Sequence, residues 1–150
     1  MPPVGGVLRV KVLLAFGGVG AATAAAFGLI TGSVWEALGL PRVGLMGAGI
    51  LCALAALADA LRAPVLCTRR QVPVEWGRLL PPITVAVLYG GRLGVGPLTI
   101  LNSWLWWAGA IIGASHGPWK SLTVGALFGG VRTGLTALAG LRRAAAHPSE

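Results

Sequence analysis

Few residues in this 150-residue chain carry chemistry, and the most conspicuous is the arginine of YGGRLGVGPLT (89–99). Arg92 stands among four glycines and a proline, inside an otherwise apolar stretch. A cation at such a place costs roughly 2.5–3.5 kcal/mol on membrane-insertion scales, so it must face a cavity, a partner or the lipid–water interface. Gly90, Gly91, Gly94 and Gly96 disfavour a continuous helix, and Pro97 suits the first turn of a new one. A helix starting there aims free backbone N–H groups, and the positive end of its dipole, at the break. With Arg92 alongside, that geometry suits an anion: a carboxylate, a phosphate or a lipid head group. The candidate binding set is therefore Arg92, the backbone at Gly94 and Gly96, and the side chains of Thr99, Asn102 and Ser103. The competing expectation is an interfacial turn from which Arg92 snorkels to head groups.

Arg132 is the second cation in an apolar run, with Thr133 and Thr136 beside it. Asp59 is the one acid well inside such a run, so an Asp59–Arg132 or Asp59–Arg62 pair is expected on structural grounds. The functional alternative makes Arg132 a second cation of the anion site, lining a polar path with Arg92. Of two cysteines, Cys52 falls within a span and Cys67 near its end; on one continuous helix they lie about 22 Å apart, beyond disulfide reach. A Cys52–Cys52 contact across a dimer is the redox possibility, against two small buried thiols. His116 and His147 are the only histidines, in a turn and in the tail. The sequence has no HExxH, CxxC, aspartate-rich prenyl-diphosphate or Walker pattern, so we expect no metal and no cofactor, and catalysis is not favoured. Trp104 and Trp107 share a helical face while Trp106 points elsewhere. An interfacial aromatic belt is expected of them, with a stacking surface for a quinone or lipid tail as the alternative.

Three strings, RQVPVEW (70–76), YGGRLGVGPLT (89–99) and FGGVR (128–132), resemble small bacterial multi-pass membrane proteins similar to the CcdA/DsbD-like and MauE-like groups. The likeness covers roughly the second half of the chain. It implies passage of reducing equivalents across a membrane through a pair of intramembrane cysteines. The resembling half contains no cysteine, and Cys52 stands alone within its span.

The elements that must position these residues are apolar helices. The chain is 55% hydrophobic and 11% charged, with mean hydropathy +0.80, too little polar surface to cover a soluble core. The reading is an all-α, multi-pass transmembrane bundle in a single domain, with spans at about 12–34, 43–66, 81–116 and 121–141. A basic loop at 67–80 separates the second and third, and Trp76 in it suits a membrane interface. The third region is too long for one straight span and too short for two, so it is broken or re-entrant near 90–97. Arg9 and Lys11 before an apolar run also fit a signal peptide; we read this segment as an uncleaved first span. The net charge of +8 sits beside the apolar runs, the pattern of cytoplasmic flanks facing anionic lipid rather than of a nucleic-acid surface. The positive-inside rule places Arg9/Lys11, Arg69–Arg78 and Arg142/Arg143 on one side, giving four spans with both termini cytoplasmic; five would put Arg142 and Arg143 outside. Glycine pairs four apart, Gly28/Gly32, Gly109/Gly113, Gly125/Gly129 and Gly130/Gly134, allow close helix approach. Most should pack internally, the remainder against a second copy or another subunit.

The resulting expectation is a plasma- or inner-membrane protein in contact with anionic lipid, serving as an accessory subunit in a larger assembly or homo-oligomer. The alternatives are a transporter or anion/lipid-head-group binder using Arg92 and the glycine-rich break, and a membrane thiol–disulfide relay using Cys52.

Overall fold

The computed structural model describes residues 6–66, 76–96 and 103–146. All regular structure in them is helical: α1 (Gly6–Ala37), α2 (Leu45–Ala60), α3 (Trp76–Leu79), α4 (Pro82–Gly94), α5 (Leu105–Ser115) and α6 (Pro118–Ala146). Two of these, over Val10–Ala37 and Pro118–Gly140, are long and apolar enough to cross a membrane. Only 17% and 11% of the residues in their apolar windows are buried, whereas the core helix of a soluble protein would be mostly buried.

Small residues set the helix arrangement. Along α1, Gly20, Ala24, Gly28 and Gly32 recur every fourth position and so form one stripe. A Cβ on Gly28 would run into the Ser121 carbonyl of α6, and one on Gly32 would come within 2.7 Å of Pro118 Cα. Gly125 of α6 is closed off by the Ala24 backbone, and Gly129 by Ala24 Cβ and the Gly20 carbonyl. The pairing runs from Gly20 opposite Thr133 to Gly32 opposite Pro118, so α1 and α6 are antiparallel. The start of α1 and the end of α6 therefore share one end of the bundle. On its neighbouring face α1 receives α4: Gly90 sits against the Phe16 carbonyl and Gly94 against Gly20 and Thr23. That order makes α4 parallel to α1.

Helix α5 continues in the direction of α4. Its Trp106 meets Phe27 of α1 and Phe128 of α6, and further along Gly113 packs on Ser121 and Val124. By length α4 and α5 reach about 20 Å and 16 Å, against about 48 Å for α1, so each covers only part of it. The third apolar region is thus one interrupted rod beside α1. Helix α2 runs back along α5, and its last turn lies at the level of the interruption.

The interior is lined by small and hydroxylated residues, including Ala24, Ala55, Ala86, Ala108, Ala114, Ser115, Ser121 and Thr133, the last only 1% exposed. Large apolar side chains point outward instead, among them Leu14, Ile30, Leu127, Leu135 and Leu45, which is 94% exposed.

One boundary differs from the sequence reading. The second helix stops at Ala60 rather than near 66, because Arg62 takes a left-handed conformation (φ 54°). Its amide bonds back to the Asp59 carbonyl and that of Ala63 to Ala58, a closure that ends helices, and Pro64 follows. The 22 Å separation of Cys52 and Cys67 assumed one continuous helix and no longer applies; Cys52 is exposed on α2, and Cys67 lies outside the described residues. Helix α4 ends at Gly94, within the stretch 90–97 where a break is expected, and runs unbroken through Gly90 and Gly91. Close packing on α1 accounts for Gly90, where a Cβ would strike the Phe16 carbonyl, whereas a Cβ on Gly91 would make only ordinary contact with Val19 and Thr23.

Candidate functional site

Several polar groups meet around the interruption between α4 and α5. At the end of α4, the Thr23 hydroxyl of α1 reaches the Gly91 carbonyl at 3.1 Å while also lying 2.9 Å from its own Val19 carbonyl. One step on, Arg132 of α6 donates from Nη1 to the Leu93 carbonyl at 3.5 Å, and its guanidinium carbon stands 5.7 Å from the centre of the Phe128 ring. A cation thereby meets the carbonyl-rich, negative end of α4.

The start of α5 meets the opposite charge. Asp59 on α2 accepts the Trp104 amide at 2.6 Å with Oδ1 and the Ser103 hydroxyl at 2.6 Å with Oδ2. Ser103 Oγ in turn accepts the Leu105 amide at 3.1 Å. The free N–H groups and positive end of α5 are thus met by a carboxylate from within the chain. This corrects the expected Asp59–Arg132 or Asp59–Arg62 pair: the carboxylate's described partners are Ser103 and Trp104, and neither arginine is among them. Each charge answers a helix end, not the other charge.

The segment after α2 is drawn along the same helix. The Trp104 indole donates to the Ala63 carbonyl at 3.3 Å, and that of Trp107 to the Leu66 carbonyl at 3.0 Å. Left-handed Arg62 is what turns the chain so that these carbonyls face α5. Trp104 and Trp107 do share a face, as their spacing suggests. Trp106 points the other way, into the bundle.

There it forms the wall of an apolar cavity of about 120 Å³ between α1, α5 and α6. Phe27, Trp106 and Phe128 flank it, with ring centroids 5.8 and 5.9 Å apart. Gly28, Gly109 and Gly125 are among its other lining residues, and Thr31 and Ser121 bring the hydroxyls, 3.4 Å from each other. A second cavity of about 280 Å³ shares Phe27, Thr31 and Ala110 with the first and extends past Val34, Trp35 and Trp107 toward the Leu38–Leu40 turn.

The residues singled out from sequence are therefore separated by the fold. Arg132 lies at the interruption. Arg92 is half-buried in the last turn of α4, and its backbone stands level with the middle of α1, since adjacent Gly91 faces Val19 and Thr23. Gly94 and Gly96, expected to admit a ligand to the backbone, are covered by protein: a Cβ on Gly94 would strike Thr23 and Gly20, and one on Gly96 the Trp106 ring. Thr99 and Asn102, like Pro97, lie outside the described residues, and the next described helix begins at Leu105. Sequence reasoning missed the Asp59 cap and the cavity. Ser103 ahead of LWWAGAIIGAS was a legible helix-start signal, but nothing local to Asp59 shows which helix it caps. No group of three or more His, Cys, Asp or Glu able to hold a metal occurs among the described residues.

Compared with known proteins, the chain matches no family, no curated protein and no solved structure.

Proposed function

We propose that this chain is a multi-pass protein of the cell membrane that crosses four times, the third crossing being α4 and α5 together, with both termini cytoplasmic. We assign it an accessory role, packing with copies of itself or with other membrane subunits. The observation that carries this reading is the inverted distribution of residues: glycine, alanine, serine and threonine inside, and leucine, isoleucine and valine outside. Without a hydrophobic drive between helices in lipid, close backbone packing of small residues is what holds a bundle together. Exposed Lys11, Arg78 and Arg142 belong to the end where α1 and α4 begin and α6 finishes, in keeping with a cytoplasmic face. Gly18 and Gly134 face outward with no atom near their missing Cβ, as do the less exposed Gly17 and Gly130, which suits contact with another helix.

The test is alkaline carbonate extraction of membranes from expressing cells, followed by reporter fusions at each end. The protein should stay in the pellet, and both fusions should report the cytoplasm. Release into the supernatant, or termini on opposite sides, would overturn the reading. Assembly is tested by sizing the protein in nanodiscs, where a lone monomer with no co-purifying subunit would remove the accessory role.

A second reading, binding of an anion or lipid head group, is favoured by one observation: a helix interrupted level with the middle of α1, as in transporters that bind substrate at half-helix ends. Arg92 and Arg132 are its cations. Because Asp59 already answers the start of α5, an anion here would rely on arginine side chains more than on backbone amides. Unchanged binding of phosphatidylglycerol in Arg92→Ala would discard it.

A further inference from the structure

We infer that the two adjoining cavities between α1 and α5 hold a single hydrocarbon chain of a membrane amphiphile, with its end beneath Trp106 and its polar part toward Leu38–Leu40. This rests on the membrane reading above and adds a ligand class to it.

The lining selects an apolar guest. Phe27, Trp106 and Phe128 present ring surface, and the hydroxyls nearby are already engaged: Thr31 donates to the Phe27 or Gly28 carbonyl at 3.0 Å and stands 3.4 Å from Ser121 Oγ. A polar ligand would find little free hydrogen-bonding capacity there. Apolar cavities of about 150 Å³ stay dry and take up hydrocarbons, and the inner cavity, at about 120 Å³, is close to that size.

The shape selects a chain rather than a compact ring. The inner cavity and the larger outer one share Phe27, Thr31 and Ala110 in their linings, so the two lie in succession along α1. Its far end lies among Val34, Trp35, Leu38, Leu40 and Trp107, and tryptophans are side chains suited to the boundary between hydrocarbon and head groups. The flank beside it carries exposed Ile30 and Val34, a surface that in a bilayer touches acyl chains. A lipid tail can enter from that side without crossing water.

Gly109 shows that the space is left open by residue choice. It lines the inner cavity, and a Cβ built on it meets no atom within 4 Å, whereas at Gly28 and Gly125, on the same cavity, neighbouring backbone fills that position. A larger residue at 109 can therefore grow into the cavity without displacing a helix.

The experiment uses palmitic acid carrying a mid-chain photoreactive diazirine, added to the full-length protein in micelles and in phosphatidylglycerol nanodiscs, with labelled residues mapped by mass spectrometry. Label should concentrate on Phe27, Trp106 and Ala110. It should fall at least tenfold in Gly109→Leu and persist in Gly130→Leu, whose substitution faces outward. Label spread evenly over outward residues such as Leu14 and Leu135, or unaffected by Gly109→Leu, would overturn the inference. If Gly109→Leu lowers helicity or thermal stability, Ala110→Leu replaces it under the same criteria. Carbonate extraction reports separately on the membrane reading: a released protein that still takes label at Phe27 would sink that reading and leave the cavity's preference standing.

Discussion

Along α1 two seams are built from similar small residues and come out differently. Against α6 the missing side chains of Gly28, Gly32, Gly125 and Gly129 are replaced by the neighbouring helix, and both helices run unbroken. Against α5 the missing side chain of Gly109 is replaced by nothing, the facing rod is interrupted, and charged groups close its two ends. The first seam is held by contact at van der Waals distance and carries no chemistry. The second has polar caps on the interruption and an apolar cavity next to it. Glycine by itself therefore does not mark a close contact; what occupies the vacated volume does.

The sharpest way to break this contrast is to fill the tight seam. Gly28→Val should cost about 3 kcal/mol or more, beyond ordinary core overpacking, because the obstacle is backbone. Loss of the folded band on heating in mild detergent would show it, and an unchanged melting temperature would mean that α1 and α6 are not held at this spacing. Next is Asp59→Asn, which removes the charged acceptor from Ser103 and the Trp104 amide. It should lower Tm and free α2 from α5, read as a change in the fluorescence of Trp104 and Trp107. A wild-type spectrum and Tm would show that the carboxylate is dispensable to the start of α5.

Arg132→Ala should cost about 1 kcal/mol, the scale of a cation–π contact on Phe128 with a weak hydrogen bond. Arg132→Lys should restore part of that, since the charge stays while the planar group is lost. Equal Tm values for the two variants would remove the argument from shape. Gly20→Ala is a finer probe, because its Cβ would strike the Thr133 methyl group, a side chain rather than backbone. Thr133→Ser should relieve much of the damage, and a double-mutant cycle with no coupling would show that the two do not meet. The smallest effect has the opposite sign. Gly130→Ala, outward on α6, should stabilise by roughly 0.5–1 kcal/mol through helix propensity alone, unless a partner helix packs there.

Much of the architecture was legible. Long apolar runs gave α1 and α6, and the excess length of the third region implied an interruption. Glycines four apart pointed to close helix contact, which Gly28, Gly32, Gly125 and Gly129 make. Gly90 and Gly91 look like helix breakers in sequence, yet both lie within α4, which ends at Gly94. The polar centre was less legible. Asp59 lies 45 positions before Trp104, and charge matching suggested an arginine where the fold supplies a helix end. The cavity could not have been read at all, since it depends on which way Trp106 turns and on what fails to fill the space beside Gly109.

The junction after α5 has a mechanical consequence. Gly117, with φ 98°, and Pro118 join α5 to α6 in a single elbow. Helix α5 is thus a beam held at both ends, at that elbow and by the Asp59 carboxylate. Those two fixed points are separated by the length of α5, about 16 Å. Trp106 sits two residues from that latched amide and in the wall of the cavity, so latch and cavity share one turn of α5.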